Sequence, residues 1–357
     1  MDIQSWQMTA PEQPLQRATR AFDPASLSGD RALVEVAGCG VCHTDLGFVY
    51  DGVRTRHELP LTLGHEIAGR VVAAGPECPV PVGRAVVVPA VIPCGECGPC
   101  EAGRGAICAD QFFPGNDDHG GFASQVVVPG RGLCPVDEAK LATAGVPLAN
   151  LSVVADAVTT PYQAILNAGL TAGDVAIFIG IGGVGGFGVQ IASHLGAHVV
   201  AIDVDAARLD AIAPYGAELC LTATDEPRAI KKQIRGWAEE NALPATAWKI
   251  FETSGHPAGQ QLAYSLLGYD AHLAVVGYTR AKIEVRLSNL MAFDATVRGT
   301  WGCLPEHYPA VVDLVLSGAV KLEPFLQERP MSSINETFEA LHAHALRTRP
   351  VLVPDFA

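Results

Sequence analysis

The sequence predicts a β-rich domain interrupted by a doubly wound α/β domain, in which helices cover both faces of a parallel sheet. Three observations lead there. The first 157 residues hold short strand-like runs separated by Gly and Pro. From about residue 171 strands and helices alternate. From about residue 298 mixed short elements return, so the α/β segment is an insertion. The expected domains are residues 1–157 with 298–357, and residues 158–297.

In the first segment, residues 33–36, 67–72, 85–88 and 124–128 are apolar runs rich in β-branched residues and bounded by turn formers. No long helical pattern precedes residue 148. In the insertion, residues 175–179 form a short apolar strand that runs into glycines, and residues 184–195 have helical spacing. A strand at 198–202, a helix at 206–213 and a helix opened by Asp225-Glu226-Pro227 follow. A strand at 248–251, a helix at 257–267 and a strand at 272–276 continue the alternation. Helices are expected near 310–316 and 335–344. No internal repeat or low-complexity tract is present.

Composition narrows the function. A length of 357 residues suits two domains of about 100–200 residues each. The net charge of −14 argues against nucleic acid or an anionic membrane as partner. No apolar run approaches the ~20 residues of a membrane span, and the N-terminus lacks a secretory pattern. Eight of the ten cysteines fall in the first 134 residues. In a large chain without a signal, such clustering favours metal over disulfides and the cytoplasm as compartment.

Three motifs carry chemistry. Cys42 and His65 lie in one turn-rich stretch, each beside a carboxylate, Asp45 and Glu66. A thiolate with an imidazole suits zinc, and a carboxylate near a ligating His fixes its ring. The plain alternative is a buried thiol and a core histidine. Cys94, Cys97, Cys100 and Cys108 have spacings of 3, 3 and 8 among Gly and Pro. Four thiolates close a tetrahedral shell, which makes a structural zinc; an iron–sulfur cluster is the rival. Gly180-Ile181-Gly182-Gly183-Val184-Gly185 follows a strand and opens a helix, as a pyrophosphate-binding turn does. Asp203 ends the next strand, where a carboxylate accepts ribose hydroxyls and repels a 2′-phosphate. NAD(H) is therefore expected over NADP(H); the alternative for Asp203 is a helix cap.

Together these motifs resemble the zinc-containing alcohol dehydrogenases of the medium-chain dehydrogenase/reductase superfamily, from about residue 33 to residue 352. The resemblance implies a GroES-like catalytic domain, a Rossmann coenzyme domain, two zinc ions per chain, and a homo-oligomer, dimer or tetramer. It makes Cys42 and His65 catalytic zinc ligands and places the third ligand at Asp156, where relatives usually carry Cys. The alternative is that Glu66 ligates and Asp156 stands behind it. Thr44 resembles the hydroxyl that bonds the substrate alcohol, and Asp45 the acid behind His65. His43 and Arg349 resemble pyrophosphate contacts, Thr160 and Val184 nicotinamide contacts. Gly47 departs from the pattern, because many relatives have a proton-relaying His there.

The implied reaction is hydride transfer from a zinc-bound alcohol to NAD⁺. A narrower resemblance, to dehydrogenases of anaerobic aromatic degradation, implies a secondary ring alcohol on a cyclic acyl-CoA thioester, oxidised to the ketone. Arg54 and Arg56 are its candidate phosphate contacts, or ordinary surface arginines. The other readings are a dehydrogenase of a small free alcohol or polyol, and a non-catalytic NAD-binding protein. Cys39, Cys78, Cys134, Cys220 and Cys303 are scattered and read as plain thiols. His342 and His344 point apart on a late helix, and His57 is a surface or substrate-loop residue.

Overall fold

The computed structural model describes residues 1–223 and 226–356; Asp225, expected at a helix start, lies outside them. The chain divides into two compact units, Met1–Thr159 with Gly302–Ala357, and Thr160–Trp301.

The first unit is built on a mixed seven-stranded sheet. Its order is Leu326–Pro330, Arg349–Val353, Arg31–Gly40, Glu66–Ala74, Ala85–Val88 and Cys134–Pro135, with Gln125–Pro129 also on Arg31–Gly40. A separate three-stranded antiparallel sheet joins Gln16–Ala21, Asp2–Met8 and Leu61–Thr62. The long strand Arg31–Gly40 does most to position the donor residues. At its C-terminal end Gly40 faces Glu66 on one side and Val351 on the other. Three distant segments therefore meet where this strand ends. Beneath them lies an apolar core that includes Val34, Ile67, Val86, Phe122 and Phe338.

The second unit is a six-stranded parallel sheet in the order Leu219–Thr222, His198–Asp203, Val175–Ile179, Lys249–Glu252, His272–Val275, Thr296–Gly299. Strand order reverses on either side of Val175–Ile179, which is the switch point where such sheets bind ligands. All five residues of that strand are buried, as expected for a strand covered on both faces. That explains its unbroken apolar run. Phe178 stacks on Phe251 with centroids 4.6 Å apart, and both rings are fully buried.

The expected fold class holds in both units. The differences are local. The stretch around Cys42 is not a run of turns: Cys39 and Gly40 end a strand, and Cys42 caps a seven-residue helix, His43–Val49. A helix that short has too few apolar repeats to read. Strands Leu219–Thr222 and Thr296–Gly299 are absent from the sequence pattern; the second is exposed at all four residues and carries no burial period. The helix expected after Glu226 runs Pro227–Glu240. Among the described residues no single helix is long and apolar enough to cross a membrane.

Phe178→Ala should destabilise the chain by about 3–5 kcal/mol, because it empties a ring-sized space in a fully buried part of the core. A urea midpoint equal to wild type would show that the stacked pair is not part of the cooperative core.

Candidate active site

The first cluster is assembled by one carboxylate. Asp45 sits in the first turn of His43–Val49 and is fully buried. One of its oxygens accepts the Cys42 N–H at 3.0 Å. The other accepts the Gly64 N–H at 3.2 Å and lies 3.4 Å from His65 Nδ1. Both ligand segments are thereby tied to one group. An imidazole whose Nδ1–H points at a carboxylate presents the lone pair of Nε2 on its far side. On that side, Nε2 of His65 lies 3.6 Å from Asp156 Oδ2, and Cys42 Sγ lies 3.7 Å from the same oxygen. Burial alone would lower the His65 pKa; the Asp45 carboxylate, followed by Asp156, reverses that and holds it well above the usual value. Phe113 meets the ring edge-on at 5.0 Å.

Asp156 reaches this point because it ends the 3₁₀ segment Leu148–Ala155 with φ −142° and ψ −57°. Ligand atoms of Cys42, His65, Glu66 and Asp156 all lie within 4.8 Å of one another. Tetrahedral zinc with bonds of about 2.0–2.3 Å sets its ligands about 3.3–3.7 Å apart, so the Cys42–Asp156 and His65–Asp156 spacings fit that ion. Thr44 Oγ1 lies 3.7 Å from Cys42 Sγ, at the rim of the cluster.

Glu66 is engaged by a buried cation. Arg349 Nε donates to its Oε2 at 2.9 Å and Nη2 donates to Oε1, a two-pronged pair. Both side chains are buried, Glu66 completely. Burial pushes the Glu66 carboxyl up to about 7, against the pull of the guanidinium. Gly40 makes room for the pair, since a Cβ there would stand 2.1 Å from Glu66 Oε2. The guanidinium of Arg349, expected at a pyrophosphate, is thus committed on one edge to Glu66.

The four remaining clustered cysteines converge as their spacing implied. Their sulfurs are 3.4 Å (Cys97–Cys100), 3.5 Å (Cys94–Cys108), 3.6 Å (Cys97–Cys108) and 3.9 Å (Cys94–Cys100) apart. Bonds of about 2.3 Å in a tetrahedron require about 3.8 Å. All ten cysteines of the chain are free. The set fits one zinc and offers it no open position. A backbone hydrogen bond from Glu96 lowers the Cys94 thiol to about 7, while burial and the hydrogen bonds shared within the cluster leave Cys97 and Cys108 raised, so only the first is eased toward a thiolate without a cation.

The glycine-rich turn lies between strand Val175–Ile179 and helix Gly185–His194. Gly180 has φ +91°, and a Cβ on Gly185 would strike Gly180 O at 1.9 Å, so the fold itself demands those two glycines. Gly182 is different. Its Cβ would meet nothing closer than Arg208 Nη1 at 4.0 Å. The protein does not need glycine there, whereas a pyrophosphate lying against the backbone does. Gly183 and Val184 complete the turn, half-buried. Asp203 ends its strand nearly buried; its oxygens accept the Ile181 N–H at 2.6 Å and the Asp205 N–H at 2.9 Å. A carboxylate has about four acceptor positions, so two hydroxyls could still be taken. Arg208, missed in the sequence, lies 3.9 Å from Asp203 with its Nε unbonded. Its place one turn into the helix after Asp203 was the available signal.

Thr160 is nearly buried in helix Thr159–Asn167. His43 is exposed and stacks on His344 at 6.3 Å, while His342 stacks on Tyr50 at 4.2 Å. Arg54 is exposed, and Arg56 lies 3.5 Å from the Asp117 carboxylate. Of the plain thiols, Cys39, Cys134 and Cys303 are buried, and burial raises all three. His57, Asp118 and His119 also bring ligand atoms together. There, however, His119 Nδ1 accepts the Thr62 N–H at 3.1 Å, which leaves the neutral ring's proton on Nε2 and no lone pair for a cation.

Comparison with known proteins agrees with this geometry. Residues 28–138 match the family described as "Alcohol dehydrogenase GroES-like domain", and residues 183–317 match "Zinc-binding dehydrogenase". An alcohol dehydrogenase of Geobacillus stearothermophilus is 28% identical over 338 residues, 91% of this chain and 92% of the relative. A D-arabinose 1-dehydrogenase (NADP(+)) of Saccharolobus solfataricus is 29% identical over 347 residues, 91% of each chain. The crystal structure of galactitol-1-phosphate dehydrogenase from Escherichia coli superposes with a TM-score of 0.87 at 24% identity, over 98% of this chain and 100% of the other; it shares the fold.

Arg349→Met should cost about 3–5 kcal/mol in urea unfolding, because it leaves the Glu66 carboxylate buried without its partner. Adding Glu66→Gln should recover part of the loss, since residues in contact do not act additively. Additive losses would mean that the two groups are not coupled.

Proposed function

Because the chain belongs to the zinc-containing alcohol dehydrogenases of the medium-chain dehydrogenase/reductase superfamily, we propose that it oxidises the hydroxyl of a small free alcohol or polyol, with NAD⁺ taking the hydride. The observation that carries this reading is the convergence of Cys42, His65 and Asp156 within 4.8 Å, beside the Thr44 hydroxyl. A protein that only bound NAD would have no use for an open three-donor set, so the non-catalytic reading is set aside.

Cys42, His65 and Asp156 would hold the catalytic ion, and Cys94, Cys97, Cys100 and Cys108 the structural one. When bound, zinc acts as a Lewis acid that lowers the pKa of the substrate hydroxyl, and the nicotinamide accepts hydride. The residues do the rest. Asp45 keeps His65 in the tautomer that presents Nε2. Thr44 takes the hydroxyl proton and hands it toward solvent. Gly47 has no side chain to relay it, so the proton leaves by another path. Glu66 stays behind the donor set, held by Arg349. In the second unit, Gly182 would give a pyrophosphate close approach, and Val184 and Thr160 would contact the nicotinamide. Asp203 binds the adenosine ribose and disfavours a 2′-phosphate, which separates this chain from its NADP(+)-named relative. His43, exposed at the start of its helix, is a pyrophosphate contact in this reading.

The acyl-CoA reading is narrower than its support. It rests on Arg54 and Arg56, and Asp117 already engages the second. The named relatives act on alcohols and sugars. A free alcohol or polyol is therefore preferred.

We also propose a homo-oligomer joined through the second unit. Strand Thr296–Gly299 is an open sheet edge among the described residues, and Leu287 and Met291, just before it in the chain, are 70% and 79% exposed. An unpaired edge with apolar neighbours suits a two-fold partner. Sedimentation should give a dimer or a multiple of one, and Val297→Pro should yield monomer; a monomeric wild-type chain refutes this.

Turnover with NAD⁺ and NADP⁺ over free alcohols, polyols and cyclic acyl-CoA thioesters tests the main reading. Activity with NAD⁺ on free alcohols or polyols is expected. Turnover of thioesters alone would restore the acyl-CoA reading, with a KM raised by Arg54→Ala and Arg56→Ala. Asp156→Ala should reduce zinc from two ions per chain to one; two retained ions would move the third ligand to Glu66.

A further inference from the structure

We propose that Tyr308, more than 150 residues from any of the three donors in sequence, is a positioning residue for Asp156 and so for the catalytic ion. The inference rests on Asp156 being a ligand, as proposed above.

Tyr308 opens helix Tyr308–Leu316 and is fully buried, among the largest side chains in the chain to be so. Its hydroxyl donates to the carbonyl of Ala155 and accepts the N–H of Ala90 at 3.2 Å. The same Ala155 oxygen accepts the Ala90 N–H at 3.4 Å. That carbonyl belongs to the peptide unit that joins Ala155 to Asp156. On the other side of Asp156, Thr159 Oγ1 lies 3.5 Å from the Asp156 carbonyl. Both peptide units that flank the Asp156 Cα therefore have a hydroxyl donor.

This matters because of how Asp156 is held. Its φ of −142° and ψ of −57° lie outside the main basins, so regular structure does not fix it. An aspartate side chain is short, with two torsions, so its oxygen goes where the backbone sends it. A ligand must sit within about 0.5 Å of its productive place. Packing alone would be served by phenylalanine; a buried hydroxyl without a partner costs free energy and needs its bonds to be tolerated. The hydroxyl at Tyr308 thus anchors one peptide, and that peptide carries the ligand.

Tyr308→Phe and Asp156→Asn in the full metal-loaded chain test this. In Tyr308→Phe the four-cysteine ion should remain, while affinity at the other site, read by chelator competition, falls about 10–100-fold. With Co²⁺ in that site, its ligand-field band should shift. Asp156→Asn should lose the ion. If Asp156→Asn loses it while Tyr308→Phe keeps wild-type affinity and band, the positioning role is overturned and the ligand reading stands. If Asp156→Asn keeps wild-type affinity and band, the ligand reading falls and the positioning role with it. Loss of both ions in Tyr308→Phe would assign the residue to the core alone, which also overturns the proposal.

Discussion

A single buried carboxylate holds the catalytic cluster in register. Asp45 reaches the Cys42 N–H, the Gly64 N–H and His65 Nδ1 from one place. A carboxylate out of water is tolerated only where its oxygens are satisfied. Here they are satisfied by the two segments that carry the donors, so burying Asp45 and aligning Cys42 with His65 are one event. The strand Arg31–Gly40 supplies the platform. Its end brings Glu66 and the strand of Arg349 to either side, and Gly40 leaves the space for their ion pair.

The two donor sets differ in what they can do. Four sulfurs at nearly tetrahedral spacing close a shell and stiffen a Gly- and Pro-rich loop. The other set has one sulfur, one nitrogen and one carboxylate oxygen, with a hydroxyl at its rim. Three donors would leave a tetrahedral ion one open position. An oxygen donor makes it a harder set than four sulfurs.

In the second unit the working feature is an absence. Gly180 and Gly185 are glycines because neighbouring backbone and side chains leave no room for a Cβ. Gly182 faces open space, so the fold does not demand a glycine there. Asp203 contributes to the turn through the Ile181 N–H.

Much of this was legible in the residues. Unbroken apolar strands alternating with helices specify a covered parallel sheet, because burial on two faces leaves no polar alternation. Cysteines three apart among glycines and prolines can hardly avoid one another, so the sulfur cluster was visible from spacing alone. The exposed strand Thr296–Gly299 and the short helix at His43–Val49 were not, since neither carries a burial period long enough to read. The sequence by itself determined the fold class, the sulfur cluster and the glycine turn, all of which are local patterns. Only the tertiary structure decided that Asp156 meets Cys42 and His65, that Arg349 holds Glu66, and that Tyr308 bonds Ala155. Those contacts join residues 114, 283 and 153 positions apart. No period or spacing encodes them, because they exist only once the sheet has brought the distant segments to the same edge.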